Sequence, residues 1–223
     1  MLACMNTERF LTLMLVVHIS GGTTALVSGL VAMLAIKGSK IHRLAGKIYF
    51  FGMTAVFVGA VIVAIGHQKD FLLMVGFFSY YMTVRGYRVL FLKKLSLGQK
   101  PHLLDWLIIS VSGIFILALL GWGTWGIFRG SAMAIVPLTF GGIGTSFLIG
   151  DVRKFFTPPQ EKMHWWYGHI SSMGGSYISA VTAFVVVNIQ LPQFQWVLWI
   201  LPAAIGSVII GSTIRKYKLQ FAQ

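Results

Sequence analysis

Three side chains carry a charge or a titratable ring into stretches that are otherwise apolar: His18, Arg85 and His169. An ionisable group is costly in hydrocarbon, so each marks a place where a partner or a ligand is expected. Residues of the same chemistry stand near them in the chain. Tyr81, Arg85 and Arg88 follow one another at spacings of four and three, which puts a phenol and two guanidiniums on one helical face. His42, Arg43 and His164 fall toward the same end of the molecule as these arginines. Asp151 closes its own helix, where the dipole disfavours an acid, and so calls for a cationic partner such as Arg85, Arg88 or a histidine. Asp105 opens a helix, where a carboxylate suits the N-terminus, and reads as a cap.

Two chemistries suit this set. Neutral imidazoles bind haem iron or a divalent metal, with His18, His42 and His169 as the candidate ligands, while arginines neutralise haem propionates. A haem b or metal centre would serve membrane redox chemistry. In the alternative, Arg85 anchors a small anionic ligand and the histidines carry protons, as in a proton-coupled transporter. A ligand-free accessory protein is a third reading, but it leaves Arg85 and His169 without a reason. The ligand-binding candidates are therefore His42, Arg43, Tyr81, Arg85, Arg88, Asp151, His164 and His169. No spacing is diagnostic of a metal: His164 and His169 are five apart, on different faces, and neither HExxH nor a cysteine pair occurs. His18 and His169 differ in depth by about 16 Å of helix rise, which argues against one haem held between them. His42, Arg85, Arg88, Asp151 and His169 are expected on one cytoplasm-facing cavity.

The elements that must position these residues are membrane helices. Of 223 residues, 57% are hydrophobic and only 10% charged, a balance that excludes an ordinary soluble domain. Seven apolar runs place helices at 10–36, 43–66, 71–94, 103–127, 131–153, 164–189 and 194–217, each close to the roughly twenty residues needed to cross a bilayer. The connections are short and carry breakers such as Gly38-Ser39, Leu97 to Pro101 and Thr157-Pro158-Pro159. Residues 1–223 thus read as one all-α, seven-helix transmembrane domain. A formal charge of +13 could suggest nucleic acid, but the lysines and arginines cluster between the apolar runs, so the partner is the lipid bilayer and no nucleic acid is expected. Fifteen of the eighteen fall on one side, leaving Arg9, Lys69 and Arg129 on the other. That alternation puts the N-terminus outside, the C-terminus in the cytoplasm, and requires an odd number of spans. The lone cysteine, Cys4, excludes an intramolecular disulfide, and no basic or apolar stretch before it makes a lipoprotein cleavage site.

Small residues recur every fourth position: Gly21, Ala25 and Gly29; Gly142, Ser146 and Gly150; Ser171, Gly175, Ser179 and Ala183; Ala203, Ser207 and Gly211. Such stripes let helix backbones approach closely. The doublets Gly21-Gly22 and Gly174-Gly175 admit a sharper reading, an unwound helix or room for a flat cofactor.

His18 with Gly22, the junction Lys37-Gly38 followed by His42-Arg43 and Gly46, the Arg85/Arg88 pair, and the run His164-Trp165, His169, Met173, Ser176-Tyr177 and Thr182-Ala183-Phe184 together resemble the bacterial membrane-protein family known as domain of unknown function 2306. The resemblance spans most of the chain. It implies a multi-helix protein of the bacterial cytoplasmic (inner) membrane and implies no particular activity.

The charge alternation makes a topology prediction. A reporter fused after Gln223 is expected to behave as cytoplasmic and one at Met1 as external; finding both in one compartment would refute the odd count.

Overall fold

The computed structural model describes residues 2–221, with side chains from Asn6 to Phe221; Met1, Gln223 and the Cys4 side chain lie outside the described residues. The elements are α1 (Leu2–Leu34), α2 (Lys40–Gly66), α3 (Asp70–Arg88), α4 (Leu103–Phe128), α5 (Ile135–Phe156), α6 (His164–Asn188) and α7 (Gln195–Phe221). Short 3-10 turns lie at Val89–Phe91, Leu95–Leu97 and Ala132–Ala134, and no strand occurs among the described residues. Six helices, all but α3, are long and apolar enough to cross a membrane, which fits a multi-pass membrane protein in contact with lipid. α3 is the shortest, at 19 residues, and carries Asp70, Arg85 and Arg88.

Most helix ends lie within three or four residues of the sequence expectation. Two differ more. α1 begins about eight residues earlier, at Leu2. α3 stops at Arg88 instead of continuing to 94, because the chain tightens into 3-10 turns that bury Leu92 and Leu95. The Gln99 side chain holds this connection: its Nε2 donates to the Phe91 carbonyl (2.8 Å) and its Oε1 accepts from the Lys94 N–H (3.0 Å). Gly98, at φ +87°, supplies the left-handed step that Gln99 needs to fold back.

The chain forms two compact units, Met1–Tyr80 and Tyr81–Gln223, the division falling inside α3. In the first, α1 and α2 touch backbone to backbone. A Cβ on Gly21 would lie 2.9 Å from the Gly52 carbonyl oxygen, and one on Gly59 would lie 2.7 Å from that of Met14. Between these two contacts the His18 ring places Nδ1 2.9 Å from the Val56 carbonyl, so it faces α2 as an intramembrane imidazole must. At the far end of α1, the His42 ring Nδ1 lies 2.9 Å from the Ala32 carbonyl, and the Lys37 ammonium donates to Ala32 (3.2 Å) and Met33. These are last-turn carbonyls, short of helical partners and at the negative end of the dipole. Partial burial there holds the Lys37 pKa below its ordinary value. Ser39 caps α2, accepting from the His42 N–H at 3.2 Å.

In the second unit α4 packs on α5, α6 on α7, and α5 also touches α7. The last two turns of α3 lie along α6, whose small residues Gly168, Ser172 and Ser176 make the space. A Cβ on Gly86 would lie 3.0 Å from the Met173 nitrogen and 3.1 Å from the Ser172 Cβ. Thr83 and Ser176 share a hydrogen bond of 2.6 Å, both fully buried.

The small-residue stripes divide in outcome. In α1, Gly21, Ala25 and Gly29 are buried as expected. In α5 and α7 the packing glycines sit off the expected stripe. Gly141 meets Leu120, Gly144 meets Ile116 and Gly206 meets Ile178, whereas Gly142, Gly150 and Gly211 have nothing within 4 Å of a Cβ. Overlapping four-residue series in glycine-rich helices leave the packed face ambiguous to spacing alone. Neither glycine doublet unwinds its helix: α1 and α6 run unbroken through both.

Gly59→Val is therefore expected to force α1 and α2 apart, costing about 1–3 kcal/mol, whereas Gly142→Ala leaves stability unchanged. Thermal unfolding of the two purified variants in detergent checks this; equal melting temperatures would refute the close approach.

Candidate functional site

The residues that could do chemistry in the second unit collect where two helices finish and two begin. α3 ends with Arg85 and Arg88 in its last turn, α5 ends with Asp151 and Lys154, α4 opens near Asp105 and α6 opens at His164. Together with Tyr81 these line one small cavity, with about 40 Å³ of free space, completed by Leu92, Leu95, Ile108 and other apolar side chains.

Arg85 is built in on every side. Nε donates to Asp151 Oδ2 (2.6 Å), one terminal nitrogen to Oδ1 (2.8 Å) and the other to the Ser172 hydroxyl. The guanidinium also lies 4.6 Å from the centroid of the Phe147 ring, and the residue is 8% exposed. It does not reach out toward headgroups. Tyr81, 2% exposed, donates its hydroxyl to Asp151 Oδ2 at 3.0 Å. One aspartate thus receives a two-pronged arginine and a phenol, the strongest geometry such a pair can take. Arg88 makes a second fork, onto Asp105 at 2.6 and 3.1 Å. Asp105 has the capping role expected of it as well, accepting from the His102 N–H at 2.7 Å in a capping box at the start of α4.

Two groups on the cavity are less fully engaged. Lys154 Nζ stands 3.9 Å from Asp151 Oδ1, inside ion-pair reach but beyond a hydrogen bond. His164 is 5% exposed; its Nε2 lies 3.3 Å from the Lys93 carbonyl, while its buried Nδ1 has no hydrogen-bond partner. By formal charge, three basic side chains and two carboxylates line this space.

The structure therefore brings together Tyr81, Arg85, Arg88, Asp151 and His164 of the expected site. His169 is not among the lining residues: its Nδ1 lies 2.8 Å from the carbonyl of Gly86, in the last turn of α3. His42, Arg43 and His18 belong to the first unit, where Arg43 is exposed and the two histidines meet backbone carbonyls. Among the described residues no three of His, Cys, Asp or Glu gather as a metal site. Lys154, Asp105 as an ion-pair partner, and Ser172 escaped the sequence reading. Lys154 could have been found, since it lies three residues from Asp151 on the same helix face. Asp105 and Ser172 meet their arginines only through tertiary packing and carry no local signal.

Comparison of the chain with family models, with curated proteins and with solved structures finds no match.

Removing one partner of the Arg85–Asp151 pair leaves a buried, uncompensated charge. Arg85→Ala and Asp151→Ala are each expected to cost about 3–5 kcal/mol, while Arg85→Met combined with Asp151→Leu recovers most of the loss. Thermal unfolding in detergent measures all three; a double variant no better than the singles would show that the pair does not act as a unit.

Proposed function

We propose that this is a seven-span protein of the bacterial cytoplasmic membrane, N-terminus outside, whose cytoplasm-facing cavity binds a small anion as the ligand site of a transporter. The observation that carries the reading is the excess cation. Arg85 and Arg88 are matched by Asp151 and Asp105, so Lys154, which shares Asp151 with Arg85 at 3.9 Å, adds a cation to the cavity beyond the number of its carboxylates. An anion there completes the neutralisation that the carboxylates leave short. The seventh span is α3. Its arginines are tolerable in hydrocarbon because both are paired, and the distribution of lysine and arginine between the connections favours the same orientation. The likeness of its His18, Arg85/Arg88 and His164–Phe184 residues to the family of domain of unknown function 2306 supports the bacterial assignment.

A haem-binding redox protein is the second reading. One observation favours it: His18, His42 and His169 each set Nδ1 against a backbone carbonyl, the arrangement that orients an imidazole whose other nitrogen ligates a metal.

The two readings part in one set of measurements on purified protein. The anion reading expects chloride, phosphate, sulfate or a small carboxylate to raise the melting temperature and to be taken up by proteoliposomes, with both effects lost in Lys154→Gln. A protein that no anion stabilises, but whose visible absorption band disappears in His169→Ala, would replace transport with haem chemistry.

A further inference from the structure

The cavity contains more information about its ligand than the sign of the charge. Each carboxylate oxygen on it is already spoken for. Asp151 receives Arg85 on both oxygens and Tyr81 on one, and Asp105 receives Arg88 on both and the His102 N–H on one. The exception among the acceptors is His164. A carbonyl oxygen can only accept, so the Nε2 facing Lys93 carries the ring proton, and the neutral imidazole then presents a bare lone pair at Nδ1. That nitrogen is buried and has no partner, in a residue nineteen-twentieths removed from solvent that forms part of the cavity wall. A buried acceptor left without a donor is a cost that folded proteins seldom carry unless something else supplies the donor. On the same cavity Lys154 is a donor with three N–H groups, paired with Asp151 across 3.9 Å but too far from it for a hydrogen bond.

Resting on the anion-binding reading above, we propose that the ligand is an oxyanion that keeps an O–H, of the hydrogen phosphate type: a charged oxygen accepts from Lys154 while the ligand's hydroxyl donates to His164 Nδ1. Hydrogen phosphate and sulfate are near-identical in size and shape, but near neutral pH only phosphate bears a proton. The site therefore separates them by a single hydrogen bond. The same chemistry is present in a phosphomonoester lipid headgroup and absent from a phosphodiester one.

The test titrates inorganic phosphate and sulfate, at matched ionic strength, into the intact protein in lipid-free detergent and reads affinity from the thermal shift. Phosphate is expected to bind about tenfold or more tightly than sulfate. His164→Leu should erase that preference while leaving sulfate binding near its original level, and Lys154→Gln should weaken both. Helical content and elution volume confirm that each variant is folded. Equal affinities in the unsubstituted protein would overturn the proposal, since they would mean a ring protonated on both nitrogens that donates to either anion. Binding of neither anion in detergent sends the question to vesicles: stabilisation by phosphatidic acid over phosphatidylglycerol assigns the lipid as the source, and indifference to all four removes the anion reading itself.

Discussion

A buried guanidinium has no stable place in an apolar bundle unless its charge and its donors are met, and the second unit is arranged around meeting those of Arg85. Asp151 takes the fork from α5, Ser172 takes the remaining terminal nitrogen from α6, and Phe147 covers the face. Three helices are fixed relative to one another by one side chain. The close approach of Gly86 to Ser172 and Met173 is the geometric condition for this, because a bulkier residue at 86 would hold α6 away from the arginine. A pair of this kind contributes little net stability compared with apolar residues of the same shape, so what it supplies is the relative placement of the three helices.

The histidines follow a different logic. Those at 42, 164 and 169 set a ring nitrogen against a carbonyl at the end of a helix or in the connection that follows it: Ala32 at the end of α1, Lys93 beyond α3, Gly86 in the last turn of α3. Helix ends leave carbonyls short of partners, and in lipid no water makes up the difference. An imidazole that donates one proton solves this without adding charge. His18 differs in facing a carbonyl inside a helix, that of Val56 in α2, where it adds a second contact between α1 and α2 instead of completing a helix end. His164 differs from the other three in that it also forms part of the cavity wall.

Local pattern revealed the helices because breakers and apolar run lengths are written residue by residue. Ser39, Gly98 and Thr157 stand at or beside the boundaries they were expected to mark. The face that Tyr81, Arg85 and Arg88 share was legible from spacing, and so was the need of Asp151 for a cation. What spacing could not show was which distant residue would answer. Asp105 was visible as a cap but not as the partner of Arg88, seventeen residues away across a connection that folds back through Gln99. Ser172, one hydroxyl among several in α6, meets Arg85 only because the two helices cross at Gly86. His169 looked like a site residue because it is titratable and deep, but depth alone does not distinguish a ligand from a group that satisfies a neighbouring backbone.

The sequence separation of the Arg85 pair has a consequence for how the chain is made. Asp151 lies 66 residues after Arg85, so α3 leaves the ribosome long before its counter-charge exists. Arg85 and Arg88 both stand in the last turn of α3, the shortest of the seven helices, and neither has its carboxylate until Asp151 and Asp105 follow. In the proposed seven-span arrangement an unpaired charge is costly in hydrocarbon, so stable entry of α3 is coupled to the synthesis of α5.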